Sequence, residues 1–151
     1  MKPCIPALLV LSLLVTTASS ASASTTTPAA AEAMVKRGVA YLNQHGRAKA
    51  LAEFNNPRGQ FVDGALYIFV IDERGNTLAN GVNPKLVGKN VLKMKDVDGK
   101  LFIQHLLDVG HSKGRGWIDY KWSNQLSHAV ESKHTYVERA DSLFIACGAY
   151  R

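Results

Sequence analysis

The stretch GRGWIDYKWSNQ, residues 114–125, holds both tryptophans of the 151-residue chain, with a tyrosine between them and two glycines at the front edge. Alternate residues of a strand face opposite sides. Trp117, Asp119 and Lys121 then share one face, and Ile118, Tyr120 and Trp122 share the other. Aromatic bulk divided in this way asks for a strand that is at least partly covered on both faces. Parity alone does not say which face is which.

Two more strand-like stretches follow the first, Gly116–Trp122: they are Lys133–Arg139 and Ser142–Tyr150, joined by the turns SNQLSHAVES and RADS. Just upstream, DVDGKLFIQHLLDVGHSKGRG opens with a turn and carries a short helix, Gly99 to about Val109, with an apolar stripe at Leu101, Phe102, Leu106 and Val109. VNPKLVGKN before it is a loop. Earlier still, Leu66–Ile71 is an apolar β-rich run, DERGN a turn and TLAN a second strand, which together make a hairpin. The first element is an Ala-rich helix from Ala29 to about Phe54, with Met34, Val35, Val39, Leu42, Ala50, Leu51 and Phe54 near helical spacing. Gly38 and Gly46 weaken its middle, so a bend or break is expected there. Consecutive strands with short connections are antiparallel. The expected architecture is α+β: a long N-terminal helix packed on a central antiparallel sheet of about five strands, with a short inserted helix.

Residues 1–23 read as a cleaved secretory signal. Lys2 precedes an apolar run from Ile5 to Val15, and Ala21-Ser22-Ala23 offers the small residues that signal peptidase requires. The run is short for a membrane span, so an uncleaved anchor is the lesser alternative. Residues 24–28 form a flexible lead. Cleavage removes Cys4 and leaves Cys147, whose apolar surroundings suit a buried small hydrophobe. One cysteine makes no internal disulfide and no cysteine metal site. The net charge is +6, but the basic residues are scattered, which argues against nucleic acid and is compatible with small anions.

LYIFVIDERGNTLANGVNPKLVGKN, DVDGKLFIQHLLDVGHSKGRGWIDYKWSN and KHTYVERADSLFIACGAY, taken in order, resemble the single Cache domain, an extracytoplasmic sensor related to the PAS fold. The matching points are Asp72 with Gly75, Asn83–Asn90, Asp98–Lys100, Gly114–Trp122 and Lys133–Val137. The resemblance covers nearly all of residues 29–151. The chain departs from the pattern at Asn80, where a histidine is common, at Ser123-Asn124-Gln125 after the tryptophan, and at Cys147. It implies a small-molecule pocket on one sheet face and the long helix on the other. It also implies a place between membrane helices and a signalling module; the chain as read here stands alone.

Within that resemblance the candidate ligand-binding residues are Tyr67, Asn80, Trp117, Tyr120, Trp122, Lys133 and Tyr136. Tyr and Trp pair an apolar body with a hydrogen-bonding tip. Lys133, or alternatively Arg115, could hold a carboxylate. Plain core packing, or a solvated lysine, is the competing reading of each. No metal or cofactor is expected. His105 and His111 are six apart and do not stack on one helical face, and DVDGK has Leu107 where a calcium loop needs its twelfth-position glutamate. No nucleophile–base signature or phosphate loop is present, so the chain does not read as an enzyme. The expected function is a periplasmic or secreted sensory domain that binds a small metabolite, a short carboxylate or similar anion. It would signal through a separate membrane receptor, kinase or transporter. The rivals are a ligand-free protein-interaction module and a membrane-tethered fragment of a chemotaxis receptor or sensor histidine kinase.

Overall fold

The computed structural model describes residues 26–151. Residues 1–23, read above as a signal, and the first residues of the lead lie outside the described residues.

Helix α1, Pro28–His45, starts where Thr27 accepts the Ala30 N–H on its side chain and Pro28 supplies a preset φ. It stops at Gly46, whose φ of +82° lies where other residues are strained. Helix α2, Arg47–Phe54, follows at once, so of the two glycines that marked a weak middle only Gly46 breaks the Ala-rich segment; Gly38 lies inside continuous α1. The apolar run after it is divided too. Strands β1 (Val62–Asp63) and β2 (Leu66–Tyr67) form a small hairpin that the sequence reading lacks, and β3 (Phe69–Asp72) begins one residue later. The chain changes partner at Ile68, which donates to Phe61 and accepts from Gly81.

Strand β4, Thr77–Asn80, pairs with β3 through a turn that Asp72 closes by accepting the N–H groups of Arg74 and Asn76. The segment from the 3₁₀ turn Pro84–Leu86 to Val91 then runs along β4 as a strap. Thr77 donates to Lys89 and accepts from Gly88, and Val91 donates to Gly75. Helix α3 spans Phe102–Lys113, later at both ends than its expected Gly99–Val109. Its start is delayed because Asp96 ties up the N–H groups of Asp98 and Lys100 in a turn. Its end lies at Gly114 in the left-handed region. Gly110 is not a breaker: a Cβ there would stand 2.5 Å from the Phe144 ring, so it lets α3 approach the sheet.

Strands β5 (Arg115–Ser123), β6 (Val130–Ala140) and β7 (Leu143–Tyr150) complete an antiparallel five-stranded sheet in the order β4-β3-β7-β6-β5. β6 starts three residues before the expected Lys133, because Ser123 pairs with Val130. Helix α1 covers β6 and β7 on one face, and α3 crosses β5 on the other. The sheet therefore separates two cores. Met34, Val35, Phe54, Ile68, Ile145 and Cys147 lie in the first, and Phe69, Phe102, Leu106, Tyr120, Val137 and Phe144 in the second. The outer edge of β5 is shielded at two points, where Asp96 accepts the Lys121 N–H and Lys100 donates to the Asp119 carbonyl.

Candidate functional site

Strand register assigns the two aromatic faces. Tyr120 opposes Lys133 across β5 and β6, while Trp117 opposes Tyr136. The first pair faces α3 and the second faces α1. Tyr136 is buried in the core under α1, and Trp117 packs at its margin, stacked on His134 with ring centroids 4.3 Å apart. Arg115 is exposed at the start of β5 and opposes Glu138. Trp117, Tyr136 and Arg115 are thus apart from Tyr67, Asn80, Tyr120 and Trp122, which the fold brings together.

Those four line a cavity of about 30 Å³ between the sheet and its roof. That is room for about two water molecules. Phe69, Ile71 and Thr77 complete the sheet wall; Phe102 and Ile103 of α3 and Leu86, Val91 and Met94 form the roof. Phe102 stacks on Tyr120 at 4.3 Å and 11°, and Trp122 meets Phe102 at 5.1 Å. The cavity is therefore an aromatic slot with hydroxyl and amide groups at its edges.

Lys133 stands behind the wall rather than in it. It is 1% exposed, and no ion pair among the described residues includes it. Its Nζ donates to the Tyr67 hydroxyl at 3.0 Å and lies 4.3 Å from the Tyr67 ring centroid and 4.8 Å from that of Tyr150. A buried ammonium without an anion is costly, and tyrosine oxygens and ring faces offset only part of that cost. Gly148 makes the burial possible. A Cβ there would come within 2.6 Å of the Lys133 Cε, so only glycine leaves room for the lysine stem to cross β7.

Two phenols connect this charge to the cavity. Tyr67 accepts from Lys133, and Tyr120 accepts from the Thr135 hydroxyl at 3.2 Å. Burial pushes both phenols up to about 12, so both keep their protons at any physiological pH and remain donors. Burial does the same to Tyr150, which neighbours Lys133 and Tyr67. Cys147 is buried on the α1 side, and burial raises its thiol to about 12, so it is unreactive there.

Thr77 is a site residue the sequence reading missed. It is 2% exposed, lines the cavity, and its hydroxyl has no hydrogen-bond partner among the described residues. Residues 77 and 80 would face opposite sides of a regular strand. Here the register shifts: Ile71 pairs with Thr77, Val70 with Ala79 and Phe69 with Asn80. The extra residue, Leu78, lets Thr77 and Asn80 stand beside Ile71 and Phe69 on the cavity face. No alternation pattern carries a signal for that. Among the described residues there is no group of three or more His, Cys, Asp and Glu side chains that could hold a metal ion, and no helix is long and apolar enough to cross a membrane.

The family model described as single Cache domain 2 matches residues 8–150. No curated protein matches the chain. Among solved structures, a methyl-accepting chemotaxis protein from Vibrio parahaemolyticus is similar at TM-score 0.69 and 22% identity, covering 81% of this chain and 86% of that one. The periplasmic sensor domain of a chemotaxis protein is similar at 0.65 and 24%, covering 81% and 88%. A Cache chemosensory domain, solved to explain its carboxylic acid recognition, is similar at 0.63 and 22%, covering 81% and 86%. At these identities the likeness shows the fold alone, a PAS-like α+β domain.

Proposed function

Because the chain belongs to the single Cache domain 2 family, we propose that it is an extracytoplasmic sensory domain that binds a short carboxylate in the cavity beneath α3. One observation carries this reading: Lys133 is buried without an anionic partner among the described residues, directly behind the wall of an aromatic slot. A bound carboxylate would supply the missing negative charge. Lys133 acts through Tyr67. Donation to the phenol oxygen strengthens the phenol as a donor, because hydrogen bonds in series polarise one another. Tyr120, loaded from behind by Thr135, gives the second donor. Phe102 and Trp122 take the ligand's carbon chain out of water. The small cavity favours short acids over longer ones. The carboxylic acid recognition attributed to one structural neighbour points the same way. The leader read in residues 1–23 would deliver the domain outside the cytoplasm, and a separate membrane receptor, kinase or transporter would receive the signal.

Thermal unfolding of the chain with a panel of short carboxylates tests this. An acid that binds only the folded state, at a hundred times its dissociation constant, adds about 2.7 kcal/mol. Lys133→Met keeps the length of the side chain and removes the charge. It is expected to fold with equal or greater stability and to lose the acid-induced shift. If no acid in the panel stabilises the wild-type chain, the reading fails.

A further inference from the structure

We propose that Thr77 is a second polar anchor of this cavity, and that the ligand is a short acid bearing a hydroxyl or keto oxygen at a carbon remote from its carboxylate. The inference rests on the carboxylate reading above and narrows it. The starting observation is the Thr77 hydroxyl, buried and without a partner among the described residues, in a wall where the Tyr67 and Tyr120 hydroxyls and the Asn80 side-chain oxygen are all bonded. Lys133 donates to Tyr67, Thr135 donates to Tyr120, and the Asn80 side-chain oxygen accepts the N–H groups of Val82 and Asn83.

Thr77 is not loosely placed. Its N–H donates to the Lys89 carbonyl at 2.9 Å, and its own carbonyl accepts from Gly88 at 2.8 Å. The strap therefore holds the residue from outside while its side chain is presented inward. An orphan hydroxyl in so constrained a position is a standing cost that a ligand oxygen would remove.

Position supplies the rest of the argument. Thr77 and Asn80 lie on β4, whereas Lys133 lies on β6, with β3 and β7 between. The charged end and the Thr77 end are therefore on different flanks of the cavity, and the surfaces between them, such as Phe69, Ile71 and Phe102, are apolar. A plain aliphatic acid held at the Lys133–Tyr67 end leaves the Thr77 hydroxyl without a partner. An acid with an oxygen at the far end satisfies both. A site built to hydrogen-bond a substrate oxygen rejects the analogue that lacks it, because its own polar group is then left unpaired.

Calorimetric titration of matched pairs tests this: propionate against 3-hydroxypropionate, butyrate against 3-hydroxybutyrate and acetoacetate, with lactate as the control whose oxygen is next to the carboxylate. In the wild type a remote-oxygen acid is expected to bind at least about tenfold tighter than its parent, and lactate no tighter than propionate. Thr77→Val should bring the preference below about threefold, while the ligand-free melting temperature stays the same or rises. Thr77→Ser, which keeps the hydroxyl, should keep the preference. Equal binding of parent and oxygenated acids, or a preference that survives Thr77→Val, overturns the role of Thr77 and leaves the carboxylate reading standing. If neither member of any pair binds the wild type, the carboxylate reading itself falls.

Discussion

The two faces of the sheet are both buried, but they are buried differently. On the α1 face the helix comes close: a Cβ at Gly38 would stand 2.6 Å from the Ile68 Cδ1. Phe54 and Phe61 meet edge to face at 4.9 Å beneath it. The polar tips of that core have outlets, Tyr136 to Glu138 at 3.2 Å and the Cys147 thiol to the Met34 sulfur at 3.7 Å. The α3 face carries a lysine, three tyrosine hydroxyls, two threonines and an asparagine around a cavity, and one hydroxyl with no partner among the described residues. One face is packed to hold the fold. The other tolerates unmet polar groups, which are a liability to stability and an asset to binding.

Substitutions can break that contrast. The largest effect is expected for Phe54→Ala on the α1 face. Phe54 is fully buried, and its truncation should cost about 3–5 kcal/mol in urea unfolding, with acid affinity of the remaining folded protein unchanged. A large loss of affinity would mean that the faces are coupled. A smaller effect is expected for Tyr120→Phe, which leaves the Thr135 hydroxyl without an acceptor at Tyr120. Stability should fall by about 1 kcal/mol, and acid binding should weaken about tenfold by titration. Tyr136→Phe, the matching deletion on the α1 face, should leave binding untouched. The smallest effect concerns Asp96, which clips the β5 edge. The Lys121 N–H above all, then those of Lys100 and Asp98, holds its carboxyl below the usual carboxylate range. A depressed folded value means a contribution that is full above the unfolded value of about 3.9. It is lost as pH falls through the folded value. Asp96→Asn should therefore flatten the acid limb of a stability–pH curve below about pH 4.

Elements whose signals are local were legible. Gly46 marked the break between α1 and α2, DERGN the β3–β4 turn, and the three C-terminal strands stand where their apolar β-rich runs lie. Elements that depend on a distant partner were not. The β1–β2 hairpin exists because Val62 and Tyr67 pair, and the two-residue strands are too short to carry a periodicity. The later start of α3 depends on Asp96 capturing nearby N–H groups. Of the site, the aromatic and basic members announced themselves by residue type, whereas Thr77 looked like an ordinary strand residue until a bulge turned it inward.

The sequence by itself determined that Trp117 and Tyr120 face opposite ways, and Lys133 and Tyr136 likewise, because the members of each pair are three positions apart, an odd offset, in a strand. It did not determine which face receives the long helix. That choice is made by contacts between residues far apart in the chain. α1, at one end, seats on β6 and β7 at the other, and β3 inserts beside β7 to place Tyr67 within reach of Lys133. A strand's alternation fixes which side chains travel together, but only the layers packed against it decide which set meets a helix and which a cavity.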